Sequence, residues 1–304
     1  MRINNPSFEI WQQGAGMTGV YKQIERVGRV CYKSEDHTTA DSARPFVERM
    51  IKSEHFAMLE HGTVYLLFNV DAGKDGARPW EFYATNKFSQ CVEDSGKLYV
   101  TTNLRVLAEN HRLDDLQAYW SEPLPLHPVR VTVRFSTQIA ITREFNRHRA
   151  NSMAEQSTRY CNYSKAKFGN EITINIPTWV KQEMTGSEWA HQLSNGALTI
   201  TGQQFMELAR EVADGSASVL DNWVFANVAA EKSYMNLIGA GRKPQEARVV
   251  LPLDTATELV HTAFVSDWKH FFDLRALGTT GQPHPDAKAI ALPLLEEFKV
   301  RGLL

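Results

Sequence analysis

Apolar positions recur along this chain at two spacings. Over residues 20–32, Ile24, Val27 and Cys31 fall at the period of a helix with one buried face. A second helix is predicted from Asp41 or Ser42 as cap, with Phe46, Val47, Met50 and Ile51 on one side. From Glu60 the period changes. Val64, Leu66, Phe68 and Val70 alternate with Tyr65 and Leu67, which predicts a strand buried on both faces. Val129, Val131, Val133 and Phe135 alternate with Arg130, Thr132 and Arg134, the pattern of a half-buried strand. That strand is expected to run into a helix capped by Ser136 or Thr137 and carrying Ile139, Ile141, Arg143 and Phe145. Further on, residues 172–176 predict a strand. Residues 186–240 predict a helical stretch with core contacts from Leu208, Val212, Leu220, Val224 and Leu237, ended by Gly239-Ala240-Gly241. Ser266-Asp267-Trp268 reads as the cap of a helix reaching Arg275, and a last helix follows Pro285.

Between these segments, residues 71–128 are mixed and punctuated by Pro and Gly, with Trp80, Phe82, Tyr83, Tyr99 and Trp120 available to pack against the body. No shift of composition marks a second domain, so the expectation is one domain over 1–304 with an elaboration inserted at about 71–128. Gly14-Ala15-Gly16-Met17-Thr18-Gly19 spells Gly-x-Gly-x-x-Gly, but residues 7–13 are half polar and no βαβ pattern follows. It is read as a flexible turn. The element pattern is α/β in composition, without internal repeats.

Composition narrows the function classes. With 304 residues, 43% hydrophobic and a net charge of −2, the chain lacks the global basic field of a nucleic-acid binder. Basic charge is local: residues 130–167 hold six Arg and two Lys against only Glu144 and Glu155. That suits a small polyanion better than a duplex. Cys31, Cys91 and Cys161 are too scattered for a disulfide framework, and no apolar run suggests a signal peptide or membrane span. A cytoplasmic protein is expected.

The richest chemistry lies in residues 147–160, Arg-His-Arg-Ala-Asn-Ser-Met-Ala-Glu-Gln-Ser-Thr-Arg-Tyr. Three guanidinium forks, an imidazole and the hydroxyls suit phosphate oxygens. An extended backbone here would send Glu155, Ser157 and Arg159 to one face, with the Tyr160 ring free to stack. Other sites are excluded. None of the cysteines has the Pro-Cys-His setting of cysteine-dependent thymidylate synthases, and neither His-Glu-x-x-His nor the zinc deaminase motifs occur. No metal site is expected.

Arg147-His148-Arg149, then seven residues, then Ser157-Thr158-Arg159-Tyr160 resembles the signature of the flavin-dependent thymidylate synthase family. Glu60-His61-Gly62-Thr63, Arg143, the Ala-Arg-x-x-Leu-Pro-like segment around Arg248, and Phe271-Phe272-Asp273-Leu274-Arg275 extend the likeness in the right order. The resemblance implies a mainly antiparallel twisted sheet flanked by helices and a homotetramer with shared sites. It further implies reductive methylation of dUMP to dTMP with FAD, NADPH and methylenetetrahydrofolate. By the same resemblance Arg275 is the activating arginine, with Ser157 and His61 beside the chemistry. Thr63, Arg147, His148, Arg149, Glu155 and His270 fall on the flavin side. Glu144, Arg147, Glu155, Gln156, Ser157, Thr158, Arg159, Arg248 and Arg275 fall on the nucleotide side, with His61 and Tyr160 as folate contacts. The pattern also departs from shorter members. Glu144 stands for their Gln and Ala154 for their Asn, while Phe264, Ser266 and His270 replace flavin-contacting residues. Glu144 and Ala154 motivate an alternative: a flavin-dependent methyl- or hydroxymethyltransferase acting on a related nucleotide such as dCMP.

Overall fold

A computed structural model describes residues 1–70 and 78–304; positions 71–77, the start of the elaboration, lie outside the described residues. In chain order the first elements are β1 (Arg2–Asn4), β2 (Ser7–Trp11), α1 (Gly16–Tyr32), α2 (Ala43–Lys52) and β3 (Thr63–Asn69). The elaboration contributes α3 (Glu81–Thr85), β4 (Gln90–Asp94), β5 (Lys97–Asn103), α4 (Leu104–Glu109) and α5 (Asp115–Tyr119). Then come β6 (Arg130–Gln138), α6 (Ile139–Phe145), β7 (Ser152–Glu155) and β8 (Thr173–Asn175). A helical region follows with α7 (Thr178–Glu183), α8 (Ala190–Ser194), α9 (Gly202–Asp214), α10 (Val219–Gly239) and α11 (Pro244–Ala247). The chain closes with β9 (Ala256–Phe264), α12 (Val265–Phe272), a π-helical turn at Asp273–Leu277, and α13 (Pro285–Val300).

Antiparallel pairing dominates, as expected. A four-stranded sheet has the order β2-β6-β9-β7 and a three-stranded one the order β3-β5-β4, while β1 and β8 form a short parallel pair. The four-stranded sheet is covered on both faces. Val131, Val133, Phe135 and Leu259 pack against Trp268, Phe271, Leu294 and Phe298 of α12 and α13. On the other face Ala154 and Val260 meet Val27 and Val30 of α1. The elaboration adds β5 alongside β3, and this sheet packs on α1 and α2 through Val20, Ile24, Val47, Leu66 and Val100.

Several local expectations are corrected. β6 is covered on both faces, because its polar alternates find partners: Thr132 shares a 2.8 Å hydrogen bond with Thr262, and Arg134 pairs with Glu258. Ser136 and Thr137 do not cap the next helix; both remain in register with Glu258 and Thr257, so the strand continues to Gln138. The Ser42 hydroxyl bonds Glu25 and the Thr39 backbone, leaving α2 without a side-chain cap. β9 runs directly into α12, so Ser266 and Asp267 lie inside the first turn. The helical stretch 186–240 is broken by left-handed Gly196 and Gly215. Two capping boxes, at Thr201 and Ser218, restart it.

The Gly-rich motif is also helical over most of its length rather than a turn, because α1 begins inside it at Gly16. Gly19 is required by packing: a Cβ there would fall 1.8 Å from the Gly14 carbonyl oxygen. Gly19→Ala should therefore destabilise the protein by about 1–3 kcal/mol, the cost of overpacking a fixed backbone contact. Urea unfolding of the two proteins measures this, and equal midpoints would refute it.

Candidate active site

The signature begins where α6 ends. His148 N–H donates to the Phe145 carbonyl and Asn151 N–H to that of His148, so residues 146–151 form a compact turn that delivers the chain into β7 beside β9. Beyond Glu155 the strand stops, which corrects the extended reading of 155–159. Gln156 N–H donates to the Glu258 carbonyl at 2.8 Å, and Ser157 N–H to the Cys31 carbonyl at 2.9 Å. The C-terminal end of α1 thus fixes Ser157, and Cys161 N–H closes a turn onto the Ser157 carbonyl. Ser157 and Arg159 therefore do not share a strand face with Glu155.

At this end of the sheet a cavity of about 670 Å³ is lined by Arg143, Glu155, Gln156, Ser157, Thr158 and Arg248, with an apolar wall from Val249 to Leu253. Arg248 Nη1 donates to Thr158 Oγ1 at 3.1 Å, joining segments 90 residues apart. Glu155 is held from behind by the Thr142 hydroxyl at 2.7 Å and the Asn146 amide at 2.9 Å. Burial pushes its carboxyl above the ordinary range, opposed by those hydrogen bonds and by Arg143. Arg143, Arg147, Arg149, Arg159 and Arg248 are all exposed, and none makes an ion pair among the described residues. Most of the exposed arginines elsewhere in the chain do pair with carboxylates. Arg143 lay in the expected helix without being singled out as a site residue; its place four residues before Arg147 was the available signal.

Arg275 sits apart from this cavity. Its guanidinium is engaged on α6: Nη1 pairs with the Glu144 carboxylate, Nη2 donates to the Glu144 carbonyl at 2.7 Å, and Nε donates to His148 Nε2 at 3.1 Å. It borders a separate hollow of about 530 Å³ with Glu144 and residues 280–284. His148 is buried and must be neutral to accept from Arg275, and His270 lies edge-on to it at 5.7 Å.

The remaining expected residues are dispersed. His61 is fully buried, with Nδ1 at 2.8 Å from Thr262 Oγ1. Thr63 is buried and its hydroxyl accepts from Arg130 at 3.2 Å. Arg149 borders a third hollow, with Arg130 and Phe264. Arg159 lies over the exposed Tyr160 ring, which packs 5.1 Å from Tyr32.

The sequence pattern of the thymidylate synthase complementing protein family matches residues 109–301. The chain belongs to that family. It is the flavin-dependent thymidylate synthase family that the Arg-His-Arg signature resembles. The match begins late in the elaboration and takes in the signature, Arg248 and Arg275. No curated protein matches the chain. Two solved structures of a UMP/dUMP methylase, PolB from Streptomyces cacaoi, align at 15% identity over 98% of this chain. One is bound with 5-Br dUMP (93% of that chain, TM-score 0.40) and the other with 5-Br UMP (92%, TM-score 0.41). Among the described residues no helix is long and apolar enough to cross a membrane.

Three buried histidines make the family fold sensitive to acid. Burial, reinforced by Arg130, pushes His61 down to about 3. Burial, with Arg275 and His270, pushes His148 to about 4, and burial with His148 and His61 pushes His261 to about 3. Below the unfolded value of about 6.5 the unfolded chain takes up these protons and the native state does not, so stability falls as pH falls from there toward 4. Each histidine contributes up to about 1.4 kcal/mol per pH unit in that window. Denaturant unfolding at pH 7, 6 and 5 should show a progressive fall in midpoint; a flat profile would contradict the burial of these rings in neutral form.

Proposed function

We propose that the chain is a flavin-dependent thymidylate synthase, converting dUMP to dTMP with methylenetetrahydrofolate and NADPH. The observation that carries this reading is the Arg248 cavity: two guanidiniums without carboxylate partners and two hydroxyls face a space sized for a nucleotide, and no cysteine lines it. Arg143 and Arg248 suit a phosphate, each charge-assisted hydrogen bond contributing roughly 1.5–3 kcal/mol once water is excluded. Ser157 and Thr158 supply neutral donors, and the wall from Val249 to Leu253 an apolar bed for the base.

C5 of uracil is a poor nucleophile, and an enzyme without a nucleophilic thiol must activate the ring electrostatically. The thiols of Cys31 and Cys91 are pushed up to about 11 by burial, and burial also raises Cys161. None supplies a thiolate at neutral pH. A guanidinium beside N3 favours loss of that proton and enriches C5. Arg275 is the candidate, held in a fixed orientation by Glu144 and His148; as it lies outside the Arg248 cavity of its own protomer, it would act on a nucleotide held by a neighbouring copy. The donor set also suits FAD. Arg147 and Arg149 are exposed forks of the kind a pyrophosphate takes, while Thr63, His148 and Glu155, bonded internally, position their surroundings. Bound FAD would supply the hydride chemistry that turns a transferred methylene into methyl.

The sites of one protomer do not converge by themselves. The Arg248 cavity lies where β6 ends and Arg149 where β7 begins, opposite ends of a sheet whose central strand spans roughly 26 Å. A homotetramer in which cavities are shared between copies resolves this. The dCMP alternative finds no support at the two positions that motivated it. Ala154 packs against Trp11, Val27 and Val260, and Glu144 is committed to Arg275 outside the cavity.

Purified protein should be yellow, and should turn over dUMP but not dCMP with methylenetetrahydrofolate and NADPH. Absence of flavin together with absence of dUMP turnover would end this reading. Arg248→Ala should raise the KM for dUMP by about tenfold or more, the loss of one charge-assisted contact, while flavin content stays unchanged. An unaltered KM would remove Arg248 from the nucleotide site.

A further inference from the structure

Two residues of the Arg248 cavity are held by their backbone. Gln156 and Ser157 lie beyond the end of β7, and their N–H groups reach the Glu258 carbonyl at 2.8 Å and the Cys31 carbonyl at 2.9 Å. These acceptors belong to different layers, β9 within the sheet and the last turn of α1 packed on it. A drift of α1 along the sheet would therefore pull Ser157 away from Gln156. The carbonyls at that end of α1 all have partners: Arg29 accepts from Ser34 N–H, Val30 from Lys33 N–H, Cys31 from Ser157 N–H, and Tyr32 from Lys167 Nζ at 3.4 Å. The chain that leaves the cavity thus finishes the helix.

Lys33 bridges the two layers. It follows α1 in the left-handed region, at φ 50° and ψ 56°, where glycine sits without strain and a lysine does not. From there its Nζ donates to Glu258 Oε1 at 2.8 Å, on the residue whose carbonyl holds Gln156. Glu258 is only 8% exposed; Arg134 pairs with the same oxygen, and Oε2 is shielded without a partner. Burial works against the charge of Glu258, but Arg134 and Lys33 outweigh it and hold the carboxyl below its ordinary range. Removing one cation from a carboxylate so buried is unfavourable, and a shift of α1 against β9 is the way to relieve it.

We propose that Lys33 and Glu258 are positioning residues of the Arg248 cavity: their ion pair locks the end of α1 to β9 and so, through the Cys31 and Glu258 carbonyls, sets where Ser157 and Thr158 stand before a nucleotide arrives. Neither side chain is among those lining the cavity, so both act through the backbone they fix. A floor already in place spares the ligand the ordering of these residues, and loss of the lock should appear in binding more than in chemistry. The rival is an ion pair that serves folding alone, as Arg26 with Glu9 at 3.3 Å does in the same layer. The consequence for nucleotide binding rests on the proposed function; the lock itself does not.

Lys33→Met removes the ammonium and keeps the stem, Lys33→Arg restores a cation, and Arg26→Met breaks the neighbouring pair as a control. In the ligand-free full chain, amide hydrogen exchange at Gln156 and Ser157, read by mass spectrometry, should quicken by about tenfold or more in Lys33→Met and stay within about threefold in the other two. The KM for dUMP should rise by about fivefold or more in Lys33→Met, with kcat within about twofold, and return toward wild type in Lys33→Arg. Unchanged exchange overturns the lock whatever the chain's activity. Faster exchange with an unaltered KM leaves only a folding element and overturns the positioning role, as does an Arg26→Met that behaves like Lys33→Met. A chain that turns over no dUMP sinks the proposed function instead. The exchange arm then decides the lock, and binding of inorganic phosphate, expected to weaken in Lys33→Met but not in Arg26→Met, decides the positioning role.

Discussion

The pairing of β6 with β9 is the constraint on which everything else hangs. Nine residues lie opposite nine, from Arg130 against Phe264 to Gln138 against Ala256, and the Arg248 cavity and the Arg149 hollow lie at its two ends. Its register decides which side chains face which layer. Val133 opposite His261 and Phe135 opposite Leu259 turn toward α12 and α13, while Thr132 opposite Thr262 turns toward α1 and His61. A slip of one residue would exchange these sets, burying Arg134 among aromatic rings and sending Phe135 to the polar side. The buried thread His61–Thr262–Thr132 acts as a register marker, since its hydrogen bonds form in one alignment only.

Charge is distributed in two ways across this frame. Arg134, Arg105 and Arg29 are paired with Glu258, Glu60 and Glu25 and have a structural part. The guanidiniums around the signature are left without carboxylates, which concentrates positive potential at the two ends of the sheet and leaves most of the body neutralised. Arg275 is paired like the first group but carries one tie more. Glu144 fixes its fork while its Nε demands a neutral His148, so orientation and protonation state are set together. In the proposed chemistry that rigidity has a use, because a guanidinium already oriented stabilises developing charge without reorganising first.

The alternation of Val131, Val133 and Phe135 was enough to read β6, and the helical spacing of Ile24, Val27 and Cys31 enough to read α1. What failed were boundaries. Ser136 and Thr137 look like caps, but the ladder offers their backbone groups partners in Glu258 and Thr257, and pairing outweighs a local hydrogen bond. The turn after Glu155 was illegible for a similar reason: it is imposed by the Cys31 carbonyl, 126 positions before Ser157. Of the Arg-His-Arg…Ser motif only the Ser157 end reaches the cavity, and Arg248 was found through its flanking Leu-Pro. By contrast, the Arg275–Glu144 pair joins residues 131 apart, and the meeting of Lys87 with Arg130 depends on how the elaboration folds back; no local pattern encodes either.

In the proposed homotetramer, length along the sheet decides which ends would have to meet. Strands rise about 3.3 Å per residue, so cavities at the two ends of β6 are separated by more than the reach of any single side chain. Bringing the Arg248 end of one copy to the Arg149 end of another closes that gap with no change in either fold, provided the copies are related by closed symmetry. The exposed guanidiniums that repel one another in separate copies would then need a shared anion between them, so nucleotide binding and assembly would reinforce each other through the same charges.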